Sequence, residues 1–186
     1  MDAFEQLVSE ILWMQGYWVR SSVKVALTKE EKRAINRHSS PRWEIDIVAY
    51  KAGENMLRVV ECKSYLDSTG VRASAFDGSK EEEAKRYKLF TEPGLRDVVL
   101  KRLALQLAEC GACRPEPTIR LALACGNIRN DNDREAIRAH FKAQDWDLWD
   151  EGWLRARLKE MAGRGYENQV SAVVAKLLLR GSNGGC

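Results

Sequence analysis

Residues 43–64 constrain the fold of this chain more than any other segment. They contain two runs in which apolar and polar residues alternate, Trp-Glu-Ile-Asp-Ile-Val-Ala-Tyr and Leu-Arg-Val-Val-Glu-Cys-Lys-Ser. A short polar stretch, residues 51–55, separates the two runs. Alternation of this kind is typical of β-strands, and two such runs joined by a short polar connection predict a β-hairpin.

Three charged residues of this hairpin are candidates for a shared site. Glu61 and Lys63 are two positions apart, and because side chains alternate across a strand, we expect them to project from the same face of the sheet. The partner strand can bring Asp46 beside them. Two carboxylates and a lysine at one sheet edge can hold a hard divalent cation and the water that it activates.

An amphipathic helix is predicted upstream, over residues 2–15, with Gly16 as its C-terminal stop. Its apolar residues recur at the spacing of one buried helix face, and they are Phe4, Leu7, Val8, Ile11 and Leu12. The sequence Tyr-Trp-Val-Arg at residues 17–20 then predicts the first strand.

The hairpin residues resemble the motif of the PD-(D/E)xK nuclease superfamily, in which an acidic residue is followed on the next strand by Asp/Glu-x-Lys. Asp46, Glu61 and Lys63 occupy those positions, and Ile45 stands where the family usually has proline. The start of the chain, Phe-Glu-Gln-Leu-Val-Ser-Glu-Ile-Leu and then Gly-Tyr-Trp-Val-Arg, is similar to that of archaeal Holliday-junction resolvases and Mrr-like restriction proteins. The likeness is specific over residues 2–64, topological as far as Trp149, and absent beyond it.

This resemblance implies a fold, a reaction and a cofactor. The implied fold is α/β, a restriction-endonuclease-like mixed central sheet flanked by helices. The implied reaction is hydrolysis of DNA phosphodiester bonds by an endonuclease that depends on Mg²⁺, for which Mn²⁺ substitutes. The resemblance implies that Asp46, Glu61 and the backbone carbonyl of Cys62 are metal ligands. It implies that Lys63 acts in catalysis with them, and that Glu5 also acts there and holds a second ion.

Two glutamates of the first helix compete for the role of the family's helix-borne carboxylate. Glu5 matches the family by its distance to Gly16. It also shares a helix stripe with Leu12 and lies beside Val8. Glu10 lies further from the apolar face, and we expect it to be solvated. The alternative is that both are ordinary charges of a first helix, with Glu5 favoured by the helix dipole.

The rest of the chain predicts further elements around this core. Residues 64–79 are predicted to be a loop, and a charged helix capped by Ser79 should follow over residues 79–89. The later predictions are helices over residues 95–110, 131–143, 151–161 and 167–179, and strands over residues 118–125 and 146–149. We expect a single domain over residues 1–180, with a core over 2–150, an elaboration or oligomer contact over 151–180, and a flexible tail over 181–186.

Basic residues cluster between positions 29 and 42, although the net charge of the chain is only +3. Because this segment precedes the strand of Asp46, its cations can lie beside the site and neutralise phosphates, which gives salt-dependent DNA binding. The candidates for DNA contact are Arg20, Lys32, Arg33, Arg37, Arg42 and Ser64. The alternative is a solvated helix face, since Thr28-x-x-Glu31 is a capping-box pattern typical of a short surface helix.

Two other polar or aromatic features have competing interpretations. Gln106 is either a polar group near the site, as in some relatives of these nucleases, or a partly buried structural glutamine. The tryptophans at positions 146, 149 and 153 suggest either base stacking or core packing. Packing is the more common role of aromatic residues at such spacing.

The five cysteines predict free thiols. Cys110 and Cys113 form a C-x-x-C, but the further ligands of a tetrahedral zinc site are missing from suitable positions, so we expect no zinc. Cys62 and Cys125 lie in apolar strand patterns and are expected to be buried.

No long apolar stretch and no signal peptide are visible in the sequence, so we expect a cytoplasmic protein outside the membrane. DNA is the expected partner, and a homodimer is a further expectation. Two alternatives to an active nuclease remain open. The chain can be a catalytically degenerate nuclease-fold module that binds DNA or serves as a scaffold. Alternatively, Glu61 and Lys63 can be a simple edge-strand ion pair in an unrelated α/β protein.

Overall fold

A five-stranded mixed sheet forms the centre of the structure, a computed structural model that describes residues 2–37, 43–165 and 168–179. The strands follow one another across the sheet in chain order. The first three are antiparallel, and the last three are parallel. Their bounds are β1 Trp18–Val25, β2 Trp43–Lys51, β3 Met56–Lys63, β4 Thr118–Cys125 and β5 Asp147–Trp149.

Helices flank the sheet on both faces, which confirms the predicted α/β class. Their bounds are α1 Ala3–Met14, α2 Lys29–Ala34, α3 Glu81–Ala84, α4 Lys88–Thr91, α5 Pro93–Glu109, α6 Asp131–Ala143, α7 Glu151–Gly163 and α8 Val170–Leu179. Short 3₁₀ turns lie at Ala52–Glu54 and Ala73–Ala75. None of the described helices is long and apolar enough to cross a membrane.

The predicted hairpin is confirmed. β2 and β3 pair from Ile47 opposite Val60 to Lys51 opposite Met56. Asn55 closes the turn in the left-handed backbone region, with φ of +46°, which asparagine tolerates better than most residues. Its side-chain amide accepts a hydrogen bond from the Tyr50 hydroxyl at 2.9 Å. The turn is therefore fixed by a side chain as well as by the strands.

Two apolar layers hold the sheet between helices. On one face, α1 packs its buried residues Val8, Ile11 and Leu12 over Ile47 and the strands beside it. On the other face, α5 and α6 pack Val99, Leu103, Leu107, Ile137 and Phe141 over the sheet. Because both faces are covered, the last five residues of β4, 121–125, are all buried and all apolar.

The charged helix predicted over residues 79–89 is wrong in its continuity and in its cap. Two short helices, α3 and α4, occupy the segment, and Lys80 precedes α3 without a side-chain cap. The break falls at Tyr87, which is buried and packs its ring 4.9 Å from that of Phe76. Burial of this aromatic ring requires a bend that a single solvated helix would not allow. β1 also extends beyond its predicted end, to Val25, because it pairs with β2 along this length.

The last two helices pack on the same core as the rest of the chain. Leu154 and Met161 of α7 and Ala172 of α8 belong to the apolar layer on the α1 side of the sheet. α8 exposes a row of apolar side chains, Val170, Val173, Val174, Leu177 and Leu178. The oligomer contact stays a prediction, and the predicted tail over 181–186 lies outside the described residues.

Candidate active site

The two strands of the hairpin separate at Asp46. Their pairing ends at Ile47 and Val60, although the same register would place Asp46 opposite Glu61. Beyond this point the backbone N–H of Cys62 donates to Asp46 Oδ2 at 2.8 Å instead of to a β2 carbonyl. The Asp46 carboxylate therefore lies in the opening between the strands, at the level of Glu61.

A reversal of side-chain direction accompanies this separation. Ile45 and Ile47 are two residues apart, yet they pack in the apolar layers on opposite faces of the sheet. β1 reverses at the same level, because Ser21 contacts Ser9 of α1 at 3.1 Å while Val23 packs on the α5 side. Between them Ser22 has a φ of +52°, which is sparsely populated for residues other than glycine. The local twist thus directs Asp46 toward the β3 backbone rather than onto either face.

Glu61 and Lys63 lie on one face of β3, as the alternation predicts. Lys63 Nζ contacts Glu61 Oε1 at 2.5 Å, and the side chains of Lys63 and Glu61 are only 22% and 19% exposed. β3 stays paired with β4 at this level, with Glu61 opposite Leu123 and Lys63 opposite Cys125. The parallel pairing holds both residues at the end of a buried strand.

Glu5 reaches the same region from α1. Its pKa is raised by burial, and the next cause is repulsion from the Asp46 carboxylate. Glu5 also completes a capping box with Asp2, whose backbone N–H it accepts at 3.3 Å. The capping role of Glu5 is therefore observed, and its role at a metal site stays a prediction.

Burial, and then repulsion between carboxylates, raises the pKa values of Glu5 and Glu61. The pKa of Glu61 is raised by burial, and repulsion from Asp46 and Glu5 adds to this, while Lys63 opposes it. Burial acts to lower the pKa of Lys63, but attraction to Glu61 and Asp46 outweighs it, so the net shift is upward. When all four side chains are ionised, their negative charges exceed the positive one by two, which matches the charge of a divalent cation.

The donor set of this opening suits magnesium or manganese. Among the described residues, the second oxygens of Asp46 and Glu61 accept no hydrogen bond, and both carboxylates are half-buried. Burial raises the pKa of the Cys62 thiol, so only its backbone carbonyl is a suitable ligand. In the described ranges, no group of three or more His, Cys, Asp or Glu side chains is arranged to hold a metal. Two carboxylates with a carbonyl still fit Mg²⁺, because this ion keeps several waters.

The predicted DNA-contact residues differ in their surroundings. Arg20, Arg33 and Ser64 are exposed, and Lys32 is half-buried. Arg37 Nη2 donates to both carboxylate oxygens of Glu92, at 2.9 and 3.1 Å. Arg42 lies outside the described residues.

The capping box at the start of α2 is confirmed, and this helix is attached to α5. Thr28 and Glu31 exchange their two hydrogen bonds as the pattern predicts. Arg102 of α5 then pairs with Glu31 at 2.8 Å. Together with the pair between Arg37 and Glu92, this contact holds α2 in place, so the basic segment is only in part a solvated face.

Glu10 is not solvated, contrary to the sequence-based expectation. It accepts hydrogen bonds from the backbone N–H and the hydroxyl of Ser171, at the start of α8. Of the two interpretations of Gln106, the structural one fits the contacts. Its side-chain amide accepts from the Ala26 N–H and donates to the Lys24 carbonyl at the end of β1, each at 3.0 Å. Both residues join elements that are far apart in sequence.

The aromatic cluster near the last strand packs in the protein. Trp149 stacks on Trp153 with ring centroids 4.8 Å apart. Trp146 meets Phe141 edge to face at 5.5 Å. Cys62 and Cys125 are buried free thiols, as predicted.

Sequence reasoning missed a group of residues beside the site. The loop that follows Lys63, together with α3, lines a cavity of about 280 Å³ that includes Arg72, Arg86, Tyr65 and Tyr87. The only signals in the sequence were the glycines of the loop, which indicate tight turns without indicating what they enclose.

A comparison of the chain with models of known protein families, with curated proteins and with solved structures finds no match. The likeness to the nuclease superfamily therefore rests on the residues of the motif themselves.

Proposed function

We propose that this protein is a metal-dependent nuclease that hydrolyses DNA phosphodiester bonds, built on a restriction-endonuclease-like core. One observation carries the proposal: Glu5, Asp46, Glu61 and Lys63 come from three elements, and their charges act on one another where β2 separates from β3. A simple edge-strand ion pair would need neither Asp46 nor Glu5.

Asp46, Glu61 and the Cys62 carbonyl would hold Mg²⁺, or Mn²⁺ in its place. The ion would supply Lewis-acid activation of a water and of the phosphodiester. The hydrogen bond from the Cys62 N–H fixes the Asp46 carboxylate, so this ligand is oriented before any ion arrives. Glu5 would orient the attacking water or hold a second ion.

Lys63 would act by its charge. Burial favours the neutral amine, but attraction to Glu61 and Asp46 outweighs it and raises the pKa of Lys63, which favours the charged ammonium. Negative charge grows on the phosphate oxygens as the water attacks and the leaving oxygen departs, and a nearby ammonium stabilises that charge. The 2.5 Å contact with Glu61 holds this ammonium beside the proposed ligands.

The DNA backbone would approach across the exposed cations of the chain. Arg33 and Arg20 are exposed, and Ser64 is exposed directly after Lys63. Arg37 is neutralised by Glu92, so its contribution to phosphate binding would be smaller than that of Arg33. A homodimer would bring two such sites to one DNA duplex.

A cleavage assay tests the proposal. Purified protein is incubated with linear, circular, branched and single-stranded DNA, with Mg²⁺, with Mn²⁺ and with a chelator, and Lys63→Ala is the matched control. Metal-dependent cleavage by the wild type that is lost in Lys63→Ala supports a nuclease. DNA binding without cleavage of any substrate would favour the alternative, a degenerate nuclease-fold module.

A further inference from the structure

A polar cavity of about 280 Å³ lies directly after the strand that carries Glu61 and Lys63. Tyr65, on its wall, is two residues beyond Lys63, so their Cα atoms are within roughly 7 Å of each other. Tyr87 is also on the wall of the cavity. The two tyrosine hydroxyls are 3.4 Å apart. The cavity therefore adjoins the candidate active site.

The loop that forms the cavity wall is fixed to the end of β4. Val71 pairs with Ile128 in an isolated parallel bridge, and the Asn127 side chain donates to the Ser68 carbonyl at 2.9 Å. Gly70 has a φ of +85°, and a Cβ there would lie 2.8 Å from the Asn127 carbonyl oxygen. Only glycine allows this close approach, so the shape of the cavity is set before a ligand binds.

The two arginines of the cavity differ in their partners. Arg72 donates to Glu83 at 3.2 Å, and Glu83 also accepts from Ser74 and lies 3.6 Å from Lys80. Arg86 is exposed and, among the described residues, its side chain makes no ion pair or hydrogen bond. The carboxylate nearest to it in sequence, Glu83, is already engaged. The cavity therefore presents an uncompensated guanidinium.

We propose that this cavity binds a DNA backbone phosphate one or two nucleotides from the scissile one, with Arg86 as the main contact and Arg72 beside it. Because the cavity wall begins two residues after Lys63, a strand whose scissile phosphate lies beside Lys63 would bring a neighbouring phosphate to the cavity. Guanidinium groups and the hydroxyls of Ser68 and Thr69 are the donors that commonly contact phosphate. The assignment rests on the proposed function in that it takes DNA as the ligand.

Binding measurements in the Lys63→Ala background test this without relying on cleavage. Fluorescence anisotropy gives the dissociation constant of a short labelled DNA, single-stranded and duplex, over a range of salt concentrations. Adding Arg86→Ala should weaken binding by about tenfold and lower the salt slope by about 0.9 for duplex. Arg155→Ala is the charge-matched control, because Arg155 is an exposed arginine of α7, and it should leave both quantities unchanged.

A second arm distinguishes a strand phosphate from a free one. Inorganic phosphate and thymidine monophosphate are titrated into the same proteins, and each should bind far more weakly than DNA. If Arg86→Ala and Arg155→Ala bind DNA alike, or if a mononucleotide binds as tightly as DNA, the assignment is wrong. DNA binding that depends on Arg86 in a protein whose wild type cuts nothing would refute the nuclease and retain this site. Cleavage by the wild type with no effect of Arg86→Ala on binding would support the nuclease and refute this phosphate site.

Discussion

Replacing Asp46 by two different residues should separate its structural role from its proposed metal-binding role. Asp46 Oδ2 accepts the Cys62 N–H at 2.8 Å, and Cys62 is buried. Asp46→Ala leaves this N–H without a partner, and an unsatisfied buried donor costs about 1–3 kcal/mol. For a chain of this size, the cost corresponds to a fall in Tm of about 2–12 °C.

Asp46→Asn should behave differently, because the amide oxygen can still accept the Cys62 N–H. The variant also loses the negative charge that helps to raise the pKa values of Glu5 and Glu61. We therefore expect a Tm near or above that of the wild type in the absence of metal. Both variants should lose metal-dependent cleavage.

Thermal unfolding with and without Mn²⁺ measures both effects in one assay. An ion at about 100 times its dissociation constant stabilises the native state by about 2.7 kcal/mol, or roughly 5–11 °C in Tm for this chain. The wild type should show this increase and Asp46→Asn should not. If Asp46→Asn gains as much Tm from Mn²⁺ as the wild type, Asp46 is not a ligand. If Asp46→Ala unfolds at the wild-type temperature, losing the hydrogen bond to the Cys62 N–H does not cost the expected free energy of unfolding.

Three further predictions address catalysis, pH and DNA contact. Lys63→Ala should reduce the single-turnover cleavage rate by about 10²–10³-fold with DNA affinity little changed, and a wild-type rate would contradict the catalytic role of Lys63. Lys63→Arg should restore little of the rate, because a planar guanidinium does not replace a compact ammonium. Because the pKa of Glu61 is raised above its usual value of 4.5, protons compete with Mn²⁺ for this carboxylate at a higher pH than usual. The Mn²⁺ affinity measured by calorimetry should therefore fall as the pH decreases from neutral toward 4.5, and an affinity independent of pH would count against Glu61 as a ligand. Arg33→Ala should weaken DNA binding uniformly across sequences and leave Tm unchanged, whereas Arg37→Ala should lower Tm because the contact with Glu92 is lost. A Tm that falls in Arg33→Ala and not in Arg37→Ala would show that the pair between Arg37 and Glu92 does not anchor α2.

Local spacing in the sequence was sufficient for much of the fold. The alternation over residues 43–64 predicted the hairpin, and the bounds of β4 and α6 follow directly from their apolar periodicity. The contact between Glu61 and Lys63 also follows from spacing, since residues two apart share a face of any regular strand. Each of these features depends on backbone geometry and on residues that are close in sequence.

Only the tertiary structure decided which partners are shared between elements. Asp46 meets the Cys62 N–H because β1 and β2 twist together at Ser22 and depart from the alternation that a regular strand would impose. Glu10 meets Ser171 although 161 positions separate them. Sequence spacing cannot specify such contacts, because they depend on how helices and strands pack after they have formed. The same reason explains why the sequence identified the motif residues, whereas the Arg86 cavity beside them was visible only in the folded chain.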